Sequence, residues 1–307
     1  MKIIYGYNNI KKFKNPIVVL GVFDGVHQGH RYILKQAVKK SRLTGGDCIV
    51  VTFYPHPQKE MSLYSLKHRL RLIEELGIDV CIVIRFNKKF SLITADNFIK
   101  NILAGKIKPK YIYIGKNFTF GKSAKGDYKL LKELSDVYNY QLKAFDVLKS
   151  NRLPISSTYI RGLITGGKLN AAYKLLGRPV TVLGTVVKGI SLAKKMGFPT
   201  ANINPHHEIL PPAGVYLVKV SIGNKKFNGL CNIGRKPTLP NKYRVSNATK
   251  KEKHVEVYIF DFNKDIYGKD LEINFTRKIR DEKKFPSLEL LSEQIKKDIL
   301  QAKKILF

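Results

Sequence analysis

Apolar and polar positions change rhythm once along the chain. In the first half, short apolar runs alternate with helical patterns: IVVLGVF (17–23), an amphipathic stretch over 27–42, then CIVVTF (48–53). Apolar runs of that length around a helix-period segment predict a βαβ unit with a right-handed crossover. Within the helix Ile33, Leu34, Ala37 and Val38 share one face, and Gly45-Gly46 supplies a left-handed stop. The alternation continues with a helix over 66–76, a strand over 78–86, a helix over 95–104, the strand YIYIG (111–115), a helix over 127–136 and a strand over 141–147. The expected first half is therefore an α/β domain with a doubly wound, Rossmann-like sheet.

Two short helical segments, ISSTYIRGLI and LNAAYKLLG, then lead to Gly177, Arg178 and Pro179, which break the pattern. The expected domains are 1–178 and 179–307. Past the break, VTVLGTVV, GVYLVKVSI, FNGLCNI, VEVYIFDF and LEINFT follow one another with no helix between them. That texture predicts an antiparallel β-barrel. SLELLSEQIKKDILQAKKIL, capped by Ser287, predicts a C-terminal amphipathic helix over one edge or mouth of the barrel.

Charge adds a second constraint. Fifty-six Lys and Arg against 23 Asp and Glu leave +33, a charge that attracts polyanions. The lysines are scattered rather than gathered in one stripe, they outnumber the arginines, and they lack the aromatic interleaving typical of RNA-binding sheets. A solvated lysine-rich surface is the favoured reading, so nucleic acid is not an expected partner. A basic nucleic-acid-binding protein on an α/β scaffold is kept as the rival class. Cys48, Cys81 and Cys231 lie far apart inside apolar runs and read as buried, reduced core residues. No apolar run reaches the length of a membrane span, and MKIIYGYNNIKKFKNP lacks a signal-peptide apolar region. A cytoplasmic protein without a membrane partner is expected, its oligomeric state left open.

The candidate chemistry starts at GVFDGVHQGH (21–30), where the first strand turns into the first helix. Gly21, Gly25 and Gly29 let backbone approach a phosphate, the helix start presents N–H groups and a positive dipole end, and His27 and His30 share a helix face. Nucleotidyl transfer needs donors that hold an α-phosphate and stabilise a departing pyrophosphate, which two imidazoles can supply. Zinc is disfavoured for want of a third ligand, and His206 with His207 reads as a solvated loop. Ser156, Ser157, Thr158 and Arg161 open another helix, by themselves only a capping pattern. Asn117 beside Phe118 and Phe120 could bond the edge and stack the face of an aromatic ring system, though strand-end packing explains the phenylalanines equally well. GFPTAN (197–202) alone reads as a turn leading into a strand. In VEVYIFDF, Glu256 shares a strand face with Tyr258 and Phe260, an unusual setting for a carboxylate.

Taken together, GVFDGVHQGH, VTFYPHP (51–57), IGKNFTFG (114–121), ISSTYIRG, GFPTAN, NIGRKPT and VEVYIFDF resemble the HxGH nucleotidyltransferases. Specifically, the chain resembles, along essentially its whole length, the bifunctional riboflavin kinase/FMN adenylyltransferases, the FAD synthetases of prokaryotes. The resemblance implies phosphorylation of riboflavin to FMN by the barrel and adenylylation of FMN to FAD by the first domain, with Mg2+ and ATP. It implies ATP contacts from His27, His30, Ser157, Thr158 and Arg161, with Gly21, Phe23, Asp24, Gly25 and Gly29 in the binding turn. It also implies a flavin side of Pro55, His56, Asn117 and Phe118. In the barrel it implies Gly197 and Pro199 on the nucleotide, Thr200 and Asn202 on ATP and magnesium, Glu256 as general base for the ribityl hydroxyl, and Arg280 on flavin or phosphate. Three departures stand out: Ala193 and Lys194 where the family has Gly-Arg, Tyr258 where it commonly has histidine, and a longer, more basic stretch over 239–254. Another HxGH enzyme, such as a cytidylyltransferase or pantetheine-phosphate adenylyltransferase, would share the first site but give no reason for the barrel.

Overall fold

Four consecutive buried residues, Ile17–Leu20, form β2, and six of the seven in β3 (Cys48–Tyr54) are buried. Continuous apolar runs of this kind belong to strands covered on both faces, as parallel sheets are. A computed structural model describes residues 1–8, 10–57, 62–189, 197–235 and 253–306. It divides them into two compact units, Met1–Ile160 with Leu175–Gly177, and Arg161–Lys174 with Arg178–Phe307.

The first unit holds a six-stranded parallel sheet of order β1-β4-β3-β2-β5-β6, with β1 at Lys2–Tyr5, β4 at Val80–Arg85, β5 at Tyr111–Gly115 and β6 at Gln141–Phe145. Helix α1 (Gln28–Thr44) buries Leu34, Ala37 and Ser41, and stops at Gly45, whose φ of 57° is the left-handed conformation the glycine pair predicts. Helix α2 (Leu66–Glu74) links β3 to β4, and α3 (Tyr128–Glu133) precedes β6. The helix expected over 95–104 runs from Ala95–Asn97 into wider π turns over Phe98–Ile107. Strand β1 has no counterpart among the expected elements. Its apolar run is only Ile3, Ile4 and Tyr5, and as an edge strand it leaves Ile3 41% and Tyr5 70% exposed.

From β2 the chain steps outward through β3 and β4, then returns to place β5 on the other side of β2. The carboxyl ends of β2 and β5 therefore flank the topological switch point, where open α/β sheets bind ligands.

A two-stranded hairpin, β7 (Lys149–Ser150) with β8 (Leu153–Pro154), precedes helices α4 (Ser157–Thr165) and α5 (Leu169–Leu176), which carry the chain across the division. In the second unit six antiparallel strands close into a barrel of order β10-β13-β12-β11-β14-β9. They are β9 (Thr181–Val187), β10 (Thr200–Asn204), β11 (Gly214–Ile222), β12 (Lys225–Arg235), β13 (Lys253–Ile259) and β14 (Asp270–Arg280). Val218, Cys231, Ile233, Val255 and Val257 fill the interior at 0% exposure. Residues of the opposite parity, Val215, Leu217 and Leu230, pack with Phe260 against Ala302 of the last helix, α6 (Leu288–Leu306). A closed barrel has no edge to protect, so the helix covers an outer face rather than an edge or mouth. The Ser287 hydroxyl caps it through the Leu290 N–H at 3.4 Å. No helix among the described residues is long and apolar enough to cross a membrane.

Candidate active sites

The turn after β2 is shaped by its own side chains. Phe23 adopts φ 55° and Gly25 φ 80° around a short 3-10 turn at Asp24–Val26. A Cβ on Gly21 would sit 2.7 Å from the Phe23 ring, and one on Gly29 would sit 3.2 Å from the His27 ring. These glycines therefore make room for the neighbouring rings, a reason beyond the phosphate approach expected of them. Asp24, 2% exposed, accepts from the Leu63 N–H at 2.8 Å, and its carbonyl accepts from the Ser157 hydroxyl at 2.8 Å. Asp24 thus braces the turn, and Ser157 reaches it directly at the start of α4.

His27 caps α1, its Nδ1 accepting a long 3.4 Å contact from the His30 N–H. The two imidazoles stack at 3.6 Å and 16°, and the Phe23 ring meets His30 edge-on at 5.3 Å. Packing against neighbouring rings holds both histidines in place at the carboxyl end of β2.

Sequence reasoning missed Arg69. It is 3% exposed, donates to the carbonyls of Val22 and Phe53, and ties the end of β2 to the end of β3. Burial lowers its pKa from the ordinary guanidinium value, with Asp24 acting in the opposite direction. Its partners lie 47 and 16 residues away, so no local pattern announces it. After β3, Pro55 follows a cis peptide bond and is exposed, while His56 is half-buried. After β5, Asn117 is exposed and Phe118 half-buried, its ring stacked on Phe120 at 5.9 Å and 18°. The topology thus gathers His27, His30, Pro55, His56, Asn117 and Phe118 at the same end of the sheet. On α4 Thr158 is exposed, and Arg161, half-buried, falls within the second unit's residues.

The barrel carries the second group of candidate residues on its outer face. Register places Asn202 opposite Glu256 and Thr200 opposite Tyr258 on one side of β13, and Asn232 opposite Glu256 on the other. Asn202 is 4% exposed, and among the described residues its Oδ1 has no hydrogen-bond partner. A Cβ on Gly189 would overlap the Asn202 amide. Glu256 keeps 30% of its exposure and meets His254 Nε2 at 2.9 Å. Asn232, His254 and Gly189 are further residues that sequence reasoning did not assign. Phe198 meets Tyr258 edge-on at 6.0 Å, and Gly197, at φ 86°, and Pro199 make the exposed turn before β10. Ala193 and Lys194, and most of the stretch over 239–254, lie outside the described residues.

Arg280 does not face this site as an open cation. Its Nε and Nη2 donate to Asp298 at 2.8–3.0 Å, its Nη1 donates to the Asp281 carbonyl at 3.0 Å, and Asp298 is 3% exposed. The bidentate pair fastens α6 to β14, a structural role beside the flavin or phosphate contact expected of Arg280. His206, expected in a solvated loop, is half-buried and shares a 2.8 Å hydrogen bond with Thr185, which in turn donates to Asp270.

A histidine pair at a sheet's switch point and a carboxylate beside neutral oxygens on a barrel define a two-domain enzyme of phosphate-group transfer. Family models match both parts, FAD synthetase over residues 9–159 and riboflavin kinase over 176–306. The bifunctional riboflavin kinase/FMN adenylyltransferase of Buchnera aphidicola subsp. Schizaphis graminum is 38% identical over 99% of this chain and 98% of its own length. That of Escherichia coli K12 is 33% identical over 99% and 97%. A crystal structure titled as a macrolide-efflux protein from Streptococcus pneumoniae superposes with a TM-score of 0.82 at 30% identity, covering 99% of both chains. The chain belongs to the bifunctional riboflavin kinase/FMN adenylyltransferase family. Its activities are the two steps of FAD biosynthesis, with riboflavin, FMN and FAD as substrates and products.

Proposed function

We propose that residues 1–178 transfer the adenylyl group of ATP to FMN and that residues 179–307 phosphorylate riboflavin. The observation that carries the division is the barrel register, which sets Glu256 opposite Asn202 and two register positions from Thr200, on the same face. In the barrel, Glu256 takes the proton of the ribityl 5′-hydroxyl as that oxygen bonds to the γ-phosphorus and ADP departs. Thr200 and Asn202 would hold a magnesium ion, because neutral oxygens suit that cation and the buried Asn202 Oδ1 has its lone pairs unused among the described residues. A bound magnesium would offset charge on the transferring phosphoryl group. Tyr258 and Phe198 supply aromatic surface beside it, and Gly197 and Pro199 form the nucleotide-side turn.

In the first domain, an FMN phosphate oxygen attacks the α-phosphorus of ATP and pyrophosphate leaves. His27 and His30 donate to phosphate oxygens and stabilise the charge that builds on the leaving group. Asn117, Phe118, Pro55 and His56 form the flavin side; Thr158 and Arg161 on α4 are assigned to ATP by the family resemblance. Gly21, Phe23, Asp24, Gly25 and Gly29 act by shaping the turn. The reduced, buried thiols suit a cytoplasmic setting, and the lysine-rich surface is read as solvated rather than as a nucleic-acid interface.

Chromatography of flavins after incubation with riboflavin and Mg-ATP, beside a reaction started from FMN, tests the assignment. FMN and FAD in the first and FAD in the second are expected. FAD from FMN alone would reject a working kinase in this chain, and no conversion of either flavin would reject both assignments.

A further inference from the structure

His254 and Glu256 are two residues apart on β13, so their side chains share the outer face of the barrel. His254 Nε2 lies 2.9 Å from Glu256 Oε1. An ionised carboxylate can only accept, so the imidazole is the donor. Neither group needs the other to satisfy burial, since they keep 31% and 30% of their exposure and water can reach both. The cross-strand neighbours of Glu256 are the amides of Asn202 and Asn232, which bring no formal charge to the carboxylate. Opposite His254 stands Gly234, and the Glu282 carboxylate lies where a side chain at 234 would be. Among the described residues, His254 is the one side chain that hydrogen-bonds Glu256, and that bond fixes one oxygen of the carboxylate.

We propose that His254 is a positioning residue for riboflavin phosphorylation: it anchors Oε1 of Glu256 and leaves Oε2 to accept the substrate proton. The proposal rests on the reading of Glu256 as the general base. Freeing the carboxylate lets it populate rotamers that miss the hydroxyl, and a displacement near 1 Å can cost about 100-fold in rate. Binding of ATP and riboflavin does not depend on which rotamer Glu256 adopts, so the loss falls on kcat.

Steady-state kinetics of FMN formation by the full chain tests this. His254→Ala should lower kcat by about 10- to 100-fold with both KM values within about twofold. His254→Gln, which keeps an N–H donor, should recover much of that loss, and FAD formation from FMN should be unchanged in both variants. An unchanged kcat in His254→Ala, a loss confined to KM, or a His254→Gln no better than alanine overturns the proposal. Glu256→Gln separates the two ideas: if it retains kinase activity, the reading of Glu256 as base fails, whatever His254 does.

Discussion

Gly189 and Asn202 fit against each other so closely that a methyl group on the glycine would overlap the amide. The amide is the part free to move, so Gly189→Ala should displace Asn202 with little effect on folding. Riboflavin phosphorylation should fall by about tenfold or more, while FAD formation from FMN is preserved. Paired assays started from riboflavin and from FMN check this; equal loss of both would point to a folding defect instead. The cysteines offer a different residue-scale test. Burial pushes the Cys48 and Cys81 thiols up to about 12, and raises Cys231 as well. A raised thiol pKa keeps the group protonated at neutral pH and hence unreactive. Iodoacetamide at neutral pH should therefore leave the native protein unlabelled by mass spectrometry, and label all three cysteines in denaturant. The spacing of His27 and His30 made the first site legible, because the strand end and helix start around them are local patterns. Arg69 and Asn232 were not legible in the same way, since their roles come from partners distant in the chain. His254 was missed for another reason: a contact between alternate strand residues depends on rotamers, not on spacing.

At the scale of elements, α6 is held by more than apolar contact. Asp298, 3% exposed, accepts from Arg280 through both its oxygens and from Gln294 at 2.8 Å. Removing one partner leaves a largely buried charge uncompensated, so Asp298→Ala should destabilise the barrel by about 3 kcal/mol. Urea unfolding compared with the parent chain measures it, and a shift under about 1 kcal/mol would contradict the clamp. The covalent order of elements was largely readable, because buried parallel strands appear as unbroken apolar runs and barrel strands as short runs between turns. What could not be read is geometric. The π turns over Phe98–Ile107 leave no periodic signature distinct from an α-helix, β1 is too short and exposed to stand out, and closure of the barrel is invisible in any one strand. The pairing of Arg280 with Asp298 was not legible for a related reason: a basic residue in a chain of net charge +33 carries no sign of its partner.

At the scale of the whole molecule, the proposed function gives one chain two chemically separate sites, one at an end of the parallel sheet and one on the barrel. Strand order sets the first at the switch point between β2 and β5, and barrel register sets the second along β10, β13 and β12. The change of texture at 177–179 made that two-part plan legible in the sequence, since helices alternate with strands only on one side of it. If the sites are separate, a substitution that stops one reaction leaves the other running. Flavin chromatography of His30→Ala and Glu256→Gln, each started once from riboflavin and once from FMN with Mg-ATP, measures this most directly. His30→Ala should convert riboflavin to FMN and stop there, and Glu256→Gln should leave riboflavin untouched yet turn FMN into FAD. Loss of both activities in either variant, or FAD formation surviving in His30→Ala, would contradict the assignment.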